Sequence, residues 1–204
     1  MKRKILSAFA AAFLLGALTG CSGGSDNSLV VLNYGKYLDP EMLELFEEET
    51  GIHVEYEEYE SPEEMYTKYK AGSIDYDLAC TSDYMVQKLI GEGEVLEMNY
   101  DNIPGIKNLD QTYFEFSKAF DPENKYSMPY FFGTVGILYN TKMVDAFEVN
   151  TWDVLWDENY SGQIIMENSV RDSFMVPLKK LGYSLNTTDE NELQKALDLL
   201  IDQK

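Results

Sequence analysis

The chain predicts an α/β fold with a parallel sheet covered by helices, and three observations carry that expectation. Leu29, Val30, Val31 and Leu32 form a near-continuous apolar run, the pattern of a strand buried on both faces. Strand-like runs then alternate with capped, amphipathic helix patterns, the order that builds parallel sheets. A second such unit begins near Thr151, after a loop-rich middle broken by Pro104-Gly105 and Asp121-Pro122.

Ahead of the first strand lies a segment that does not belong to the fold. Lys2, Arg3 and Lys4 precede a stretch from Ile5 to Leu18 that is apolar except for Ser7 and Gly16. That is the layout of a secretion signal. Cys21 follows Leu18-Thr19-Gly20, which resembles the bacterial lipobox, so residues 1–20 are expected to be removed and Cys21 to carry lipid. Residues 21–28 are rich in Ser and Gly and are expected to form a flexible tether to the membrane.

From there each element has a local reason. Asp39-Pro40 caps a helix with Met42, Leu43, Leu45 and Phe46 on one face, glutamates on the other, and Gly51 at its end. His53 to Glu57 alternates as a second strand, and Ser61-Pro62-Glu63-Glu64 reads as a capping box opening a helix toward Gly72. Tyr76 to Cys80 is a third strand, followed by the cap residues Thr81, Ser82 and Asp83 and a helix expected to stop at Gly91. Tyr126 to Asn140 holds five aromatics and two glycines, consistent with a buried strand or with a hinge crossing between lobes. Thr151 to Trp156 is a capped apolar turn and Gln163 to Met166 a strand. Asn168-Ser169 caps a helix that Pro177 should kink or shorten. A last helix opens at Thr187-Thr188-Asp189 with Leu193, Ala196, Leu197, Leu200 and Ile201 on one face.

Composition narrows the chemistry. The formal net charge of −20 repels nucleic acid and anionic lipid, so neither is an expected partner surface. With Cys21 assigned to lipid, Cys80 is alone, leaving no internal disulfide and an inert thiol in an apolar strand. A single histidine, His53, is expected to be structural; it leaves no material for a histidine-cysteine zinc site or a Ser-His pair. There is no glycine-rich phosphate loop, and no cofactor or metal is expected.

Two strands end in loops of the same kind. Leu29–Leu32 leads into Asn33-Tyr34-Gly35-Lys36-Tyr37, and the third strand into Ser82-Asp83-Tyr84. The carboxyl edge of a parallel sheet is where ligands bind, and tyrosine faces suit an apolar or cationic ligand.

The order of these features resembles the spermidine/putrescine-binding proteins of bacterial ABC importers. The resemblance runs from Leu29 to about Asp202, and its most specific pieces are Glu49-Thr50-Gly51-Ile52, Tyr59-Glu60-Ser61, Tyr76-Asp77-Leu78, Ser127-Met128-Pro129-Tyr130 and the run Leu181 to Asp189. It implies a type II periplasmic-binding-protein-like fold: lobe 1 at 29–132, a crossing hinge at 133–140, and part of lobe 2 at 141–204. It also implies a polyamine ligand clamped between the lobes and handed to the permease subunits, with the protein held at the outer face of the membrane. Residue by residue, the resemblance places ligand contacts at Tyr34, Lys36, Tyr37, Ser82, Tyr84, Ser169 and Asp172. Lys36 and Ser169 stand where the family has acids, while Asp172 keeps one, and Glu167 and Asn168 lie near enough in sequence to compensate. The family's remaining ligand residues and two further returns between lobes fall beyond Lys204, so these residues alone are expected to bind poorly and to aggregate. A different small cationic or other solute on the same fold, or an anchored hydrolase using paired carboxylates, remains an alternative.

Overall fold

The computed structural model describes residues 27–204. The expected secretion signal at 1–20, the expected lipid-bearing Cys21 and all of the expected tether but its last two residues lie outside the described residues. Strands β1 (Ser28–Tyr34), β2 (His53–Tyr59) and β3 (Leu78–Ala79) form one parallel sheet in the order β2-β1-β3. The apolar run is therefore the central strand, with Leu32 opposite Glu57 on one side and Ala79 on the other. β3 is shorter than the predicted Tyr76 to Cys80, yet its pairing reaches both ways. Asp77 N donates to Val30 O at 3.0 Å and Cys80 N to Leu32 O at 2.9 Å, while an Asp77 carboxylate oxygen takes Val30 N at 2.8 Å.

Helices α1 (Pro40–Thr50), α2 (Pro62–Lys70) and α3 (Asp83–Glu92) follow the three strands in turn. Asp39 accepts Glu41 N at 3.1 Å, and Gly51 ends α1 at φ 69°. That is the left-handed conformation glycine reaches without a Cβ penalty. Ser61 Oγ accepts Glu64 N at 3.2 Å, but the Glu64 carboxylate takes the N–H of Glu60 at 2.9 Å, so the box closes one residue early. α3 does not stop at Gly91: it runs to Glu92, and Gly93, at φ 71°, supplies the left-handed turn. Leu32, Tyr59, Met65, Met85 and Leu89 close the core between sheet and helices. Two further expectations shift. The apolar face of α1 was to lie on the sheet, but Met42, Leu45 and Phe46 stay exposed. His53 is exposed rather than set in the sheet's core, its Nδ1 2.9 Å from the Glu47 carboxylate that also accepts Val54 N.

After α4 (Gln111–Ser117), the segment from Tyr126 to Asn140 forms neither strand nor helix. No described segment lies beside it to take up its backbone groups in a ladder. Its start is nonetheless fixed by Asp121, which is 1% exposed and accepts the N–H groups of Lys125, Tyr126 and Ser127 at 3.0, 2.8 and 2.9 Å. The predicted strand Gln163 to Met166 is also irregular and leaves Ile165 exposed, for the same want of a paired neighbour. Around it, a 3-10 turn at Trp152–Trp156 packs on helices α5 (Val170–Leu181) and α6 (Glu190–Gln203). Pro177 lies inside α5 without shortening it, buried with Val176 and Leu178 against this small core, where Ala196 is fully enclosed. Trp156 Nε1 donates to Leu199 O at 2.8 Å and ties the turn to α6. Among the described residues no helix is long and apolar enough to cross a membrane.

Candidate ligand-binding site

Because all three strands are parallel, Tyr34, Tyr59 and Ala79 end at one edge of the sheet. The loop after β1 turns sharply there: Gly35 N donates to Tyr59 O at 2.9 Å, and a Cβ on Gly35 would meet that same oxygen at 3.4 Å. Tyr34 and Tyr37 fold back on each other with ring centres 4.9 Å apart, and Tyr59 meets the Tyr34 ring edge-on at 5.1 Å. The segment after Tyr126 braces this loop, since Tyr130 donates its hydroxyl to Tyr37 O at 2.8 Å and Phe131 packs 4.9 Å from the Tyr37 ring.

Lys36, predicted among the ligand contacts, adopts φ 65° and sends its side chain out to the Glu58 carboxylate at 3.5 Å, 91% exposed. The left-handed backbone explains the direction: an L side chain there points away from the turn that Tyr34 and Tyr37 close. At the end of β3, Ser82 is the N-cap residue of α3, but its hydroxyl makes no capping bond. The Thr81 and Ser82 hydroxyl oxygens are both buried without a hydrogen-bond partner among the described residues.

Tyr84, in the first turn of α3, reaches the second α/β unit. Its hydroxyl donates to Glu63 Oε1 at 3.0 Å and lies 3.5 Å from Ser169 Oγ. The Arg171 guanidinium sits 5.8 Å from the centre of the Tyr84 ring, within cation-π range. Ser169 is 5% exposed and caps α5, accepting Asp172 N at 3.3 Å. Burial raises the Tyr84 hydroxyl above its ordinary range. Burial also raises that of Tyr34, with Tyr37, Glu167, Asp172 and Glu60 adding to the effect in that order. The structure thus pairs Tyr34 with Tyr37 at the end of β1 and Tyr84 with Ser169, whose hydroxyl also accepts Asp172 N, while Ser82 stands at the N-cap of α3 and Lys36 is turned outward. At Cys80, burial likewise raises the thiol, which suits the inert role expected of it.

Between the two units opens a cavity of about 360 Å³, lined by Ser61, Glu63, Glu167, Ser169, Ser173 and Phe174 among others. None of its lining residues is a lysine or arginine. Such a space suits a small cation carrying methylenes: carboxylates and hydroxyls for the charge, and the Phe174 ring for the carbon chain. A second cavity of about 280 Å³, beside Gly136, Tyr139 and Trp152, has no charged lining residue. Ser61 and Glu63 escaped the sequence reading because Ser61-Pro62-Glu63-Glu64 was fully explained as a helix start. The signal that could have found them is topological: β2 ends at the same edge as β1 and β3, so the residues just after it belong to that edge as well. Among the described residues no group of three metal-ligating side chains is suitably placed for an ion.

Comparison with known proteins agrees with this architecture. The profile of the bacterial extracellular solute-binding protein family matches residues 41–204. The chain is 37% identical over 203 residues to the spermidine/putrescine-binding periplasmic protein of Escherichia coli, covering 98% of this chain and 57% of that one. It is 30% identical over 182 residues to a putrescine/cadaverine-binding protein of Pseudomonas aeruginosa, covering 86% and 51%. Among solved structures, the PotD substrate-binding protein of a Streptococcus pneumoniae spermidine/putrescine ABC transporter superposes with a TM-score of 0.66 at 42% identity, covering 87% of this chain and 54% of that one. The PotD lipoprotein of Treponema pallidum does so with 0.77 at 28% identity, covering 86% and 55%. The chain thus spans little more than half the length of the relatives it matches. Over that span it has the type II periplasmic-binding-protein-like α/β fold, and it belongs to the bacterial extracellular solute-binding protein family.

Proposed function

We propose that this chain is the solute-binding component of an ABC importer, that it takes up a polyamine of the spermidine or putrescine kind, and that it is not an enzyme. The observation that carries the reading is a cavity walled by Glu63, Glu167 and Ser169, with no lysine or arginine in its lining, against which the Tyr84 hydroxyl lies 3.0 Å from Glu63 and 3.5 Å from Ser169. A polyamine offers what that wall can use. Its ammonium groups lose hydration on entry and need charged acceptors, while its methylenes lie against aromatic faces. The names of the relatives point the same way. In this reading Tyr34, Tyr37, Ser82, Tyr84, Ser169 and Asp172 contact the ligand. Lys36 lies at the rim and acts through its charge.

The chain segments on either side of the cavity serve as lobes, 29–132 and 141–204, with 133–140 as the crossing. A ligand that touches both lobes stabilises the closed arrangement and shifts the population toward it, and the closed form is what a permease recognises. Cys21 carries the lipid anchor that keeps the protein at the outer face of the membrane; the Treponema relative is itself a lipoprotein.

The test is a thermal-shift series on residues 22–204 with spermidine, putrescine, spermine and neutral amino acids at millimolar concentration, high enough to register weak binding. A ligand at about 100 times its dissociation constant adds about 2.7 kcal/mol of apparent stability. A rise in Tm with a polyamine and none with the amino acids supports the reading. Equal response to all, or response to an amino acid alone, contradicts it.

A further inference from the structure

A polyamine needs carboxylates to take its ammonium groups, and the cavity lining supplies two, Glu63 and Glu167. We propose that Glu63 and Glu167, one from each side of the cavity, form the seat of a primary ammonium group. This inference rests on the polyamine reading above and names the residues that give it charge selectivity. Both side chains line the 360 Å³ cavity. Neither has an ion-pair partner among the described residues; of the nearby cations, Arg171 lies over the Tyr84 ring and donates to Asn186, and Lys36 is drawn off by Glu58. Glu63 is half-buried and held in place by the Tyr84 hydroxyl at 3.0 Å on Oε1, which leaves its other oxygen for a second donor. Glu167 immediately precedes the Asn168-Ser169 cap of α5, so the fixed start of that helix sets its position.

A primary ammonium carries three N–H donors. Two carboxylates, with the Ser61, Ser169 and Ser173 hydroxyls around the same space, offer acceptors enough for all three. Val170 and Phe174 provide the apolar side along which the first methylenes run. Because Glu63 follows β2 while Glu167 precedes α5, an ammonium bound to both joins the two lobes at one point and drives closure.

The experiment is isothermal titration of putrescine into the wild type, Glu63→Gln, Glu167→Gln and the exposed control Glu55→Gln on β2. Glutamine at 63 keeps an oxygen to accept the Tyr84 hydroxyl, so only the charge is removed. Glu167 is exposed, so its variant keeps the fold whatever happens at 63. Ligand-free Tm values show that the variants are folded. Each site variant is expected to lose about 10- to 100-fold in affinity, the worth of a charge-assisted hydrogen bond, with a shallower dependence on salt, and the control less than twofold. Wild-type binding with both site variants within twofold, or with a loss confined to one of them, overturns the shared seat and leaves the polyamine reading standing. A wild type that binds no polyamine overturns both.

Discussion

Asp121→Asn tests whether the start of the Tyr126–Asn140 segment is held by one buried carboxylate. Asp121 is 1% exposed, and its two oxygens accept four hydrogen bonds at 2.8 to 3.0 Å: Lys125 N on one, and Tyr126 N, Ser127 N and Ser127 Oγ on the other. Asparagine has a single acceptor oxygen. Its least costly orientation keeps that oxygen toward Tyr126 and Ser127 and turns the amide NH2 toward Lys125 N, donor against donor. One buried bond is lost, leaving two unsatisfied donors at about 1–3 kcal/mol, and the other three fall from charged to neutral strength. Relief of carboxylate desolvation offsets part of this, so the net loss is about 2–4 kcal/mol. Urea unfolding reads it as a lower midpoint at unchanged slope. The loss should spread to the site, because Ser127 O accepts the Tyr100 hydroxyl at 2.8 Å and Tyr130 holds Tyr37 O. Amide exchange at Tyr34 to Tyr37 should quicken with it. A variant within 0.5 kcal/mol of wild type, a margin below one ordinary hydrogen bond, refutes the reasoning.

Leu32→Ala empties the centre of the core and should cost about 3 kcal/mol in the same urea assay. Gly93→Ala forces an L residue to φ 71° and should cost about 1 kcal/mol, whereas Gly133→Ala, with open space around its Cβ and no positive φ, should be near neutral; the pair is compared by Tm. The Lys88 hydrogen bond above all, helped by Tyr66 and Lys70, holds the Glu92 carboxyl down at about 2. Its folded pKa is below the unfolded value, so its contribution is complete above about pH 4.5 and is lost as pH falls toward 2. Glu92→Gln should therefore be less stable than wild type at pH 7, and the two should converge in acid titrations below pH 2.

The sequence was most legible where one residue decides one local event. Asp39, Pro40 and Gly51 mark α1 because a cap, a fixed φ and a left-handed turn each need a particular residue type. The parallel edge was legible too, since an apolar run in the middle of alternating elements has few other homes. What was hidden depends on partners distant in sequence. Glu63 has a complete local explanation as a helix-start acid, and only the neighbouring β1 loop and α5 show that it faces a cavity. Gly91 and Gly93 are equally plausible stops by composition; the hydrogen bonds of Gly93 N to Ile90 O and Glu94 N to Leu89 O decide for the second. Gln163 to Met166 has the residues of a strand, but strands are made by neighbours, and Ile165 finds none among the described residues. The same holds for the apolar face of α1, whose pattern of Met42, Leu45 and Phe46 asks for burial that the described residues do not provide. Lys36 was read from its place in the loop, and its turn toward Glu58 follows from a positive φ that a lysine codon does not announce.

An ammonium ligand that binds in the cavity against Tyr84 must perturb the tyrosines at that edge of the sheet. The most direct test is an NMR titration of ring-labelled tyrosines with spermidine. Tyr34 and Tyr84 should move together on one saturating curve, while Tyr139, which lines the second, uncharged cavity, should stay still. Movement of Tyr139 with Tyr34 and Tyr84 unchanged would contradict the account.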